Sequence, residues 1–65
     1  MIIVNGEERV FEENVTLSQF LEREGYRMDR IAVEINEEIV PKSQYDDHCF
    51  SDEDKIEIIH FVGGG

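Results

Sequence analysis

Lys55-Ile56-Glu57-Ile58-Ile59-His60-Phe61 reads as a strand, and where that strand sits decides the fold. Its isoleucines favour a pleated backbone. Ile56, Ile58, Ile59 and Phe61 are too continuous in apolar character for a strand with one face in water. Such a strand belongs in the middle of a sheet, where neighbours on both sides satisfy its backbone N–H and C=O groups. The hairpin at the start of the chain is the expected neighbour. If Ile56 and Ile58 face a covering helix, then Ile59 and Phe61, of opposite parity to Ile58, point to the other face. That second pair forms either a docking patch or a small second core closed by the stretch from Lys42 to Phe50.

Downstream the strand runs directly into Val62-Gly63-Gly64-Gly65. Three consecutive glycines carry no Cβ, so this backbone can enter a slot too narrow for side chains. Extended, the four residues reach roughly 13 Å at about 3.3 Å per residue. The terminal carboxylate could therefore be carried into a partner's active site. An ordinary frayed chain end is the other reading at this point. The expected organisation is a domain over residues 1–61 and a flexible tail over 62–65.

Upstream, Ile2-Ile3-Val4 ends at Asn5-Gly6, a strong hairpin signal, and Arg9-Val10-Phe11 is the expected returning strand. Val15-Thr16-Leu17-Ser18-Gln19-Phe20 opens a helix. Thr16 and Gln19 have capping-box spacing, Val15 can staple against Phe20, and Leu17, Phe20 and Leu21 share one face. Gly25 fits the left-handed residue that closes the helix, with Tyr26 folding back on Leu21. Ile31 to Ile35 is a strand, Asn36-Glu37-Glu38 reverses the chain, and Ile39-Val40 is a short strand that Pro41 marks as an edge. Ser43 is the expected cap of a single helical turn around Gln44-Tyr45. Tyr45 and Phe50 are expected to plug the core, and Asp52-Glu53-Asp54 is a turn. The order ββαββ, loop, β predicts an α+β fold with one helix across a mixed sheet of four to five strands.

At 65 residues the chain is one domain too small to enclose a deep catalytic pocket. A binding or carrier role is expected, not an enzyme. Six basic against sixteen acidic residues give a formal net charge of −10, which argues against nucleic acid and anionic membranes as partners. The acid either solvates the surface or steers the domain onto a basic partner. Cys49 is the single cysteine, so a reducing cytoplasm suits the chain. Met1-Ile2-Ile3-Val4 is too short for a signal peptide or membrane span. No interior constellation looks catalytic. His48 and Cys49 are adjacent in sequence and would point apart in a strand, His48 and His60 match no metal-ligand spacing, and Cys49 reads as a small buried or half-buried residue. No metal site is expected.

The whole chain resembles the ubiquitin-like β-grasp sulfur carriers, and most closely the ThiS family of thiamine biosynthesis. The residues that carry the resemblance are the strand into Asn5-Gly6, Thr16-Leu17-Ser18-Gln19-Phe20-Leu21, Ile31 to Asn36, Ile39-Val40-Pro41-Lys42, Asp52 to Ile56 and the glycine end. Ile39-Val40-Pro41 is the part most particular to the thiamine branch, and the diglycine end is common to every branch. The resemblance implies a carrier that binds no cofactor itself. Its Gly65 carboxylate would be adenylated with ATP by an E1-like adenylyltransferase and converted to a thiocarboxylate. The sulfur would come from a cysteine desulfurase or sulfurtransferase and pass to thiazole synthase. Gly64 is then the penultimate glycine, Val62 and Gly63 line the partner's channel, and Ile59 and Phe61 are docking candidates. A molybdopterin-type sulfur carrier, a ubiquitin-like protein modifier and a plain interaction domain are the alternatives.

Overall fold

The computed structural model describes residues 1–61. Strands β1 (Ile2–Val4), β2 (Glu7–Arg9), β3 (Ile31–Ile35), β4 (Glu38–Ile39) and β5 (Lys55–His60) form one mixed sheet in the order β2-β1-β5-β3-β4. β5 occupies the middle, as its apolar run predicts. It pairs parallel to β1, with Val4 opposite Ile56, and antiparallel to β3 from Ile31–His60 to Ile35–Ile56.

Asn5 (φ 49°) and Gly6 (φ 84°) both take the left-handed region, as the tightest hairpin connection requires. That two-residue turn sets Val4 opposite Glu7 and Ile2 opposite Arg9. The returning strand therefore starts at Glu7 and is used up at Arg9, where β1 offers no further partner. Val10 and Phe11, expected in this strand, lie outside it. The Asn5 Oδ1 accepts the Ile58 N–H at 2.8 Å and ties the hairpin tip to β5. A similar turn at Asn36 (φ 53°) and Glu37 (φ 70°) starts β4 at Glu38, one residue earlier than expected, although the Val40 N–H still reaches the Val33 carbonyl at 2.9 Å.

Helix α1 (Leu17–Arg23) begins as its sequence predicts. Thr16 Oγ1 accepts the Gln19 N–H at 3.2 Å and Gln19 Oε1 accepts the Thr16 N–H at 2.9 Å. Losing such a cap typically costs about 1 kcal/mol. Two more first-turn amides are taken by the 42–50 loop, Leu17 N–H by the His48 carbonyl at 2.7 Å and Ser18 N–H by the Tyr45 carbonyl at 2.9 Å. At the other end Gly25 (φ 83°) permits both closing bonds, Gly25 N–H to Glu22 and Tyr26 N–H to Leu21.

Leu17, Phe20 and Leu21 pack on Ile2, Val4, Ile31, Val33, Ile56 and Ile58, all buried. Tyr45 and Phe50 complete this core, Phe50 meeting Phe20 edge-on with ring centroids 5.3 Å apart. The expected turn near Tyr45 is a 3₁₀ turn over Lys42–Gln44. Pro41 stands at its cap position with no side-chain cap bond, so Ser43 lies within the turn and does not cap it. A second 3₁₀ turn, Met28–Arg30, leads into β3.

Burial pushes the Tyr45 phenol above its ordinary value of 10.0, against a smaller opposing effect of the Val33 backbone. The folded state thus holds this proton more tightly than the unfolded chain does. Its contribution is intact below roughly pH 10 and falls as pH rises past it. Urea midpoints should decline more steeply above pH 10 in the natural chain than in Tyr45→Phe; parallel declines would refute this.

Candidate functional site

The site is the far end of β5, where the described structure meets the tail. The expected sulfur-bearing Gly65 and the channel residues Val62, Gly63 and Gly64 lie outside the described residues. What the structure does define is the platform beneath them.

One face of the sheet carries the helix, and among the described residues the other is uncovered. Register places Glu8, Ile3 and Lys55 together on the uncovered face, then Glu57, Glu34 and Ile39, then Ile59 and Ala32. Ile59 is 44% exposed and Phe61 58%. The 42–50 loop packs on the helix side through Tyr45 and Phe50, so among the described residues no second core covers them. Ile3 and Ile39 are also exposed, which makes this face apolar in spots and acidic between them. Glu34 and Glu57 face each other directly across β3 and β5, an unfavourable arrangement for like charges.

The last described residues are held from both sides of the sheet. The Phe61 N–H donates to the Arg30 carbonyl at 3.0 Å, one position beyond the Ile31–His60 pair. His60, opposite the fully buried Ile31, lies on the helix side and stacks on Tyr26 with ring centroids 5.4 Å apart and planes 33° apart. Strand parity places Phe61 on the outer face, and the Lys42 ammonium sits 5.9 Å from its ring centroid. A cation over an exposed ring contributes about 0.5–1 kcal/mol. Neither contact is visible in the sequence, because Tyr26 and Lys42 come from separate loops and meet the strand only through space.

Elsewhere the described residues offer little chemistry. No group of three or more His, Cys, Asp and Glu is placed to hold a metal among them. A crevice of about 320 Å³ is lined in part by His48, Cys49, Ser51 and Asp54. Cys49 there is exposed, contrary to the buried or half-buried position expected, because its backbone bridges to Thr16 at the surface. Asp54 is buried and its carboxylate is engaged by the Asn36 amide at 2.9 Å and the Ser51 N–H at 2.8 Å. This network, which the sequence reading took as simple turn chemistry, fixes the entry to β5. The Met1 ammonium donates to Asp52 at 2.6 Å, and that hydrogen bond holds the Asp52 carboxyl below its ordinary range. No helix among the described residues is long and apolar enough to cross a membrane.

Comparison with known proteins gives a consistent picture. The model of the ThiS family matches residues 2–65. A thiazole synthase of Paramagnetospirillum magneticum is 45% identical over 64 residues, covering 98% of this chain but 20% of that protein. The chain thus spans about a fifth of the length of the thiazole synthases it matches. The sulfur carrier protein ThiS of Bacillus subtilis is 36% identical over 67 residues, covering the full length of both. The crystal structure of the thiamine biosynthesis protein ThiS from Geobacter metallireducens superposes with a TM-score of 0.81 at 25% identity, over 98% of this chain and 97% of that one.

Proposed function

The chain belongs to the ThiS family, and from that premise we propose that it is a sulfur carrier whose Gly65 carboxylate, in a chain ending at that residue, receives and gives up the sulfur. The observation that carries this reading is that the family match runs through residue 65 while β5, the central strand, leads straight toward those glycines. That strand is held as far as Phe61, and the glycines that follow in the sequence carry no side chains.

The chemistry follows from the carboxylate. It is a poor electrophile, so an E1-like adenylyltransferase first joins it to AMP from ATP and releases pyrophosphate. A persulfide donor, loaded by a cysteine desulfurase or sulfurtransferase, attacks the acyl carbon and expels AMP. A thiol then reduces the acyl disulfide and leaves the thiocarboxylate. Thiazole synthase is the acceptor, supported by relatives of that name whose sequences contain a counterpart of nearly this entire chain. In this scheme the carrier binds no cofactor and its own side chains break no bonds.

Ile59 and Phe61 are the docking residues we assign on the uncovered face, beside the tail. The Glu34–Glu57 opposition on that face and the net charge of −10 favour a partner with basic residues around an apolar patch. Incubation with a cognate activating enzyme, ATP and a persulfide donor should exchange one oxygen of the intact protein for sulfur by mass spectrometry. An unchanged mass with an enzyme proven active on another carrier would overturn the reading.

A further inference from the structure

We infer that Lys42 and His60 are positioning residues that keep the Phe61–Arg30 rung closed at the end of β5, an inference that rests on the carrier reading above. Phe61 and His60 are consecutive, so the pleat sends their rings to opposite faces of the sheet. Each ring meets a group from a different loop, Phe61 the Lys42 ammonium at 5.9 Å and His60 the Tyr26 ring at 5.4 Å. Between them the Phe61 N–H bond to Arg30 is the last backbone rung described before Val62.

Both loops are themselves anchored. Tyr26 is fixed by the helix closure at Leu21, and Lys42 opens a 3₁₀ turn whose Tyr45 is buried in the core. Neither Lys42 nor His60 is buried, so their contacts add little to folding. What they restrict is the backbone at the tail's root. Without them the Phe61–Arg30 rung frays. Fixing one residue's backbone on binding lowers affinity by about tenfold. The loss would appear in the partner's KM for the carrier and leave kcat alone, because the reacting carboxylate is unaltered.

The test compares the natural chain with the double variant Lys42→Met, His60→Ala, and with Lys42→Arg, His60→Phe, which keeps a cation and a stacking ring. Amide hydrogen exchange is read at Phe61 and Ile58, and ATP–pyrophosphate exchange by the activating enzyme gives KM and kcat. The first variant should exchange the Phe61 amide at least tenfold faster with Ile58 unchanged, and raise KM roughly tenfold at constant kcat. The second should restore both. An unchanged KM, or acceleration at Ile58 equal to that at Phe61, overturns the proposal. If the natural chain itself supports no pyrophosphate exchange, it is the carrier reading that has failed, and positioning fails with it.

Discussion

Truncation after Gly63 is expected to abolish sulfur loading while leaving thermal unfolding unchanged. The shortened chain still ends in a carboxylate on a glycine, so the chemical group is conserved and only its reach is lost. Two residues at about 3.3 Å each leave it roughly 7 Å short of the reacting position. Misplacement by even about 1 Å can cost a hundredfold in rate, so the loss should exceed that figure. Folding should be indifferent, because β5 ends at His60 and every described core residue precedes it. Intact mass after incubation with the activating system, together with a melting curve, measures both halves. Normal sulfur loading in the truncated chain would show that Gly65 is not the acceptor, and a depressed melting point would show that the tail also supports the fold.

Ile56→Ala should be the most damaging single change to the fold. Ile56 is fully buried on the middle strand, opposite Val4 on one side and Ile35 on the other. Such truncations typically cost 2–5 kcal/mol, at about 24 cal/mol per Å³ of residual cavity. Whole domains of this size are stabilised by roughly 3–10 kcal/mol at about 0.05–0.15 kcal/mol per residue. A large share of the variant should therefore be unfolded at physiological temperature. Ile59→Ala, on the same strand with its side chain toward solvent, should stay within about 1 kcal/mol of the natural chain. Urea titrations of the two variants decide it, and comparable losses would mean that the inside and outside of β5 have been misassigned.

Strand parity separates Ile56 and Ile58 from Ile59 and Phe61 before any coordinates, but whether the second pair lies open or under a second core needed the structure. The helix limits were readable too, because Thr16, Gln19 and Gly25 act on backbone groups within a few residues of themselves. The family resemblance was equally open to reading from the glycine end and the Ile39-Val40-Pro41 stretch. What escaped was decided at a distance. Val10 and Phe11 have good strand chemistry but no partner, because β1 begins at Ile2, opposite Arg9. Ser43 has good capping chemistry, yet the turn starts two residues earlier, after Pro41. Lys42 and Tyr26 carry no local mark of their contacts with residues 61 and 60. In the site as in the fold, short-range backbone chemistry could be read and through-space pairing could not.

The parallel pairing of β1 with β5 joins the first strand of the domain to the last one made. During translation no nascent chain can complete this sheet until the segment leading to the glycines has itself emerged. The surface around Ile59 and the strand that bears the tail therefore come into existence in the same event. A partner that docks there, as the carrier reading proposes, would meet only copies whose sheet is complete.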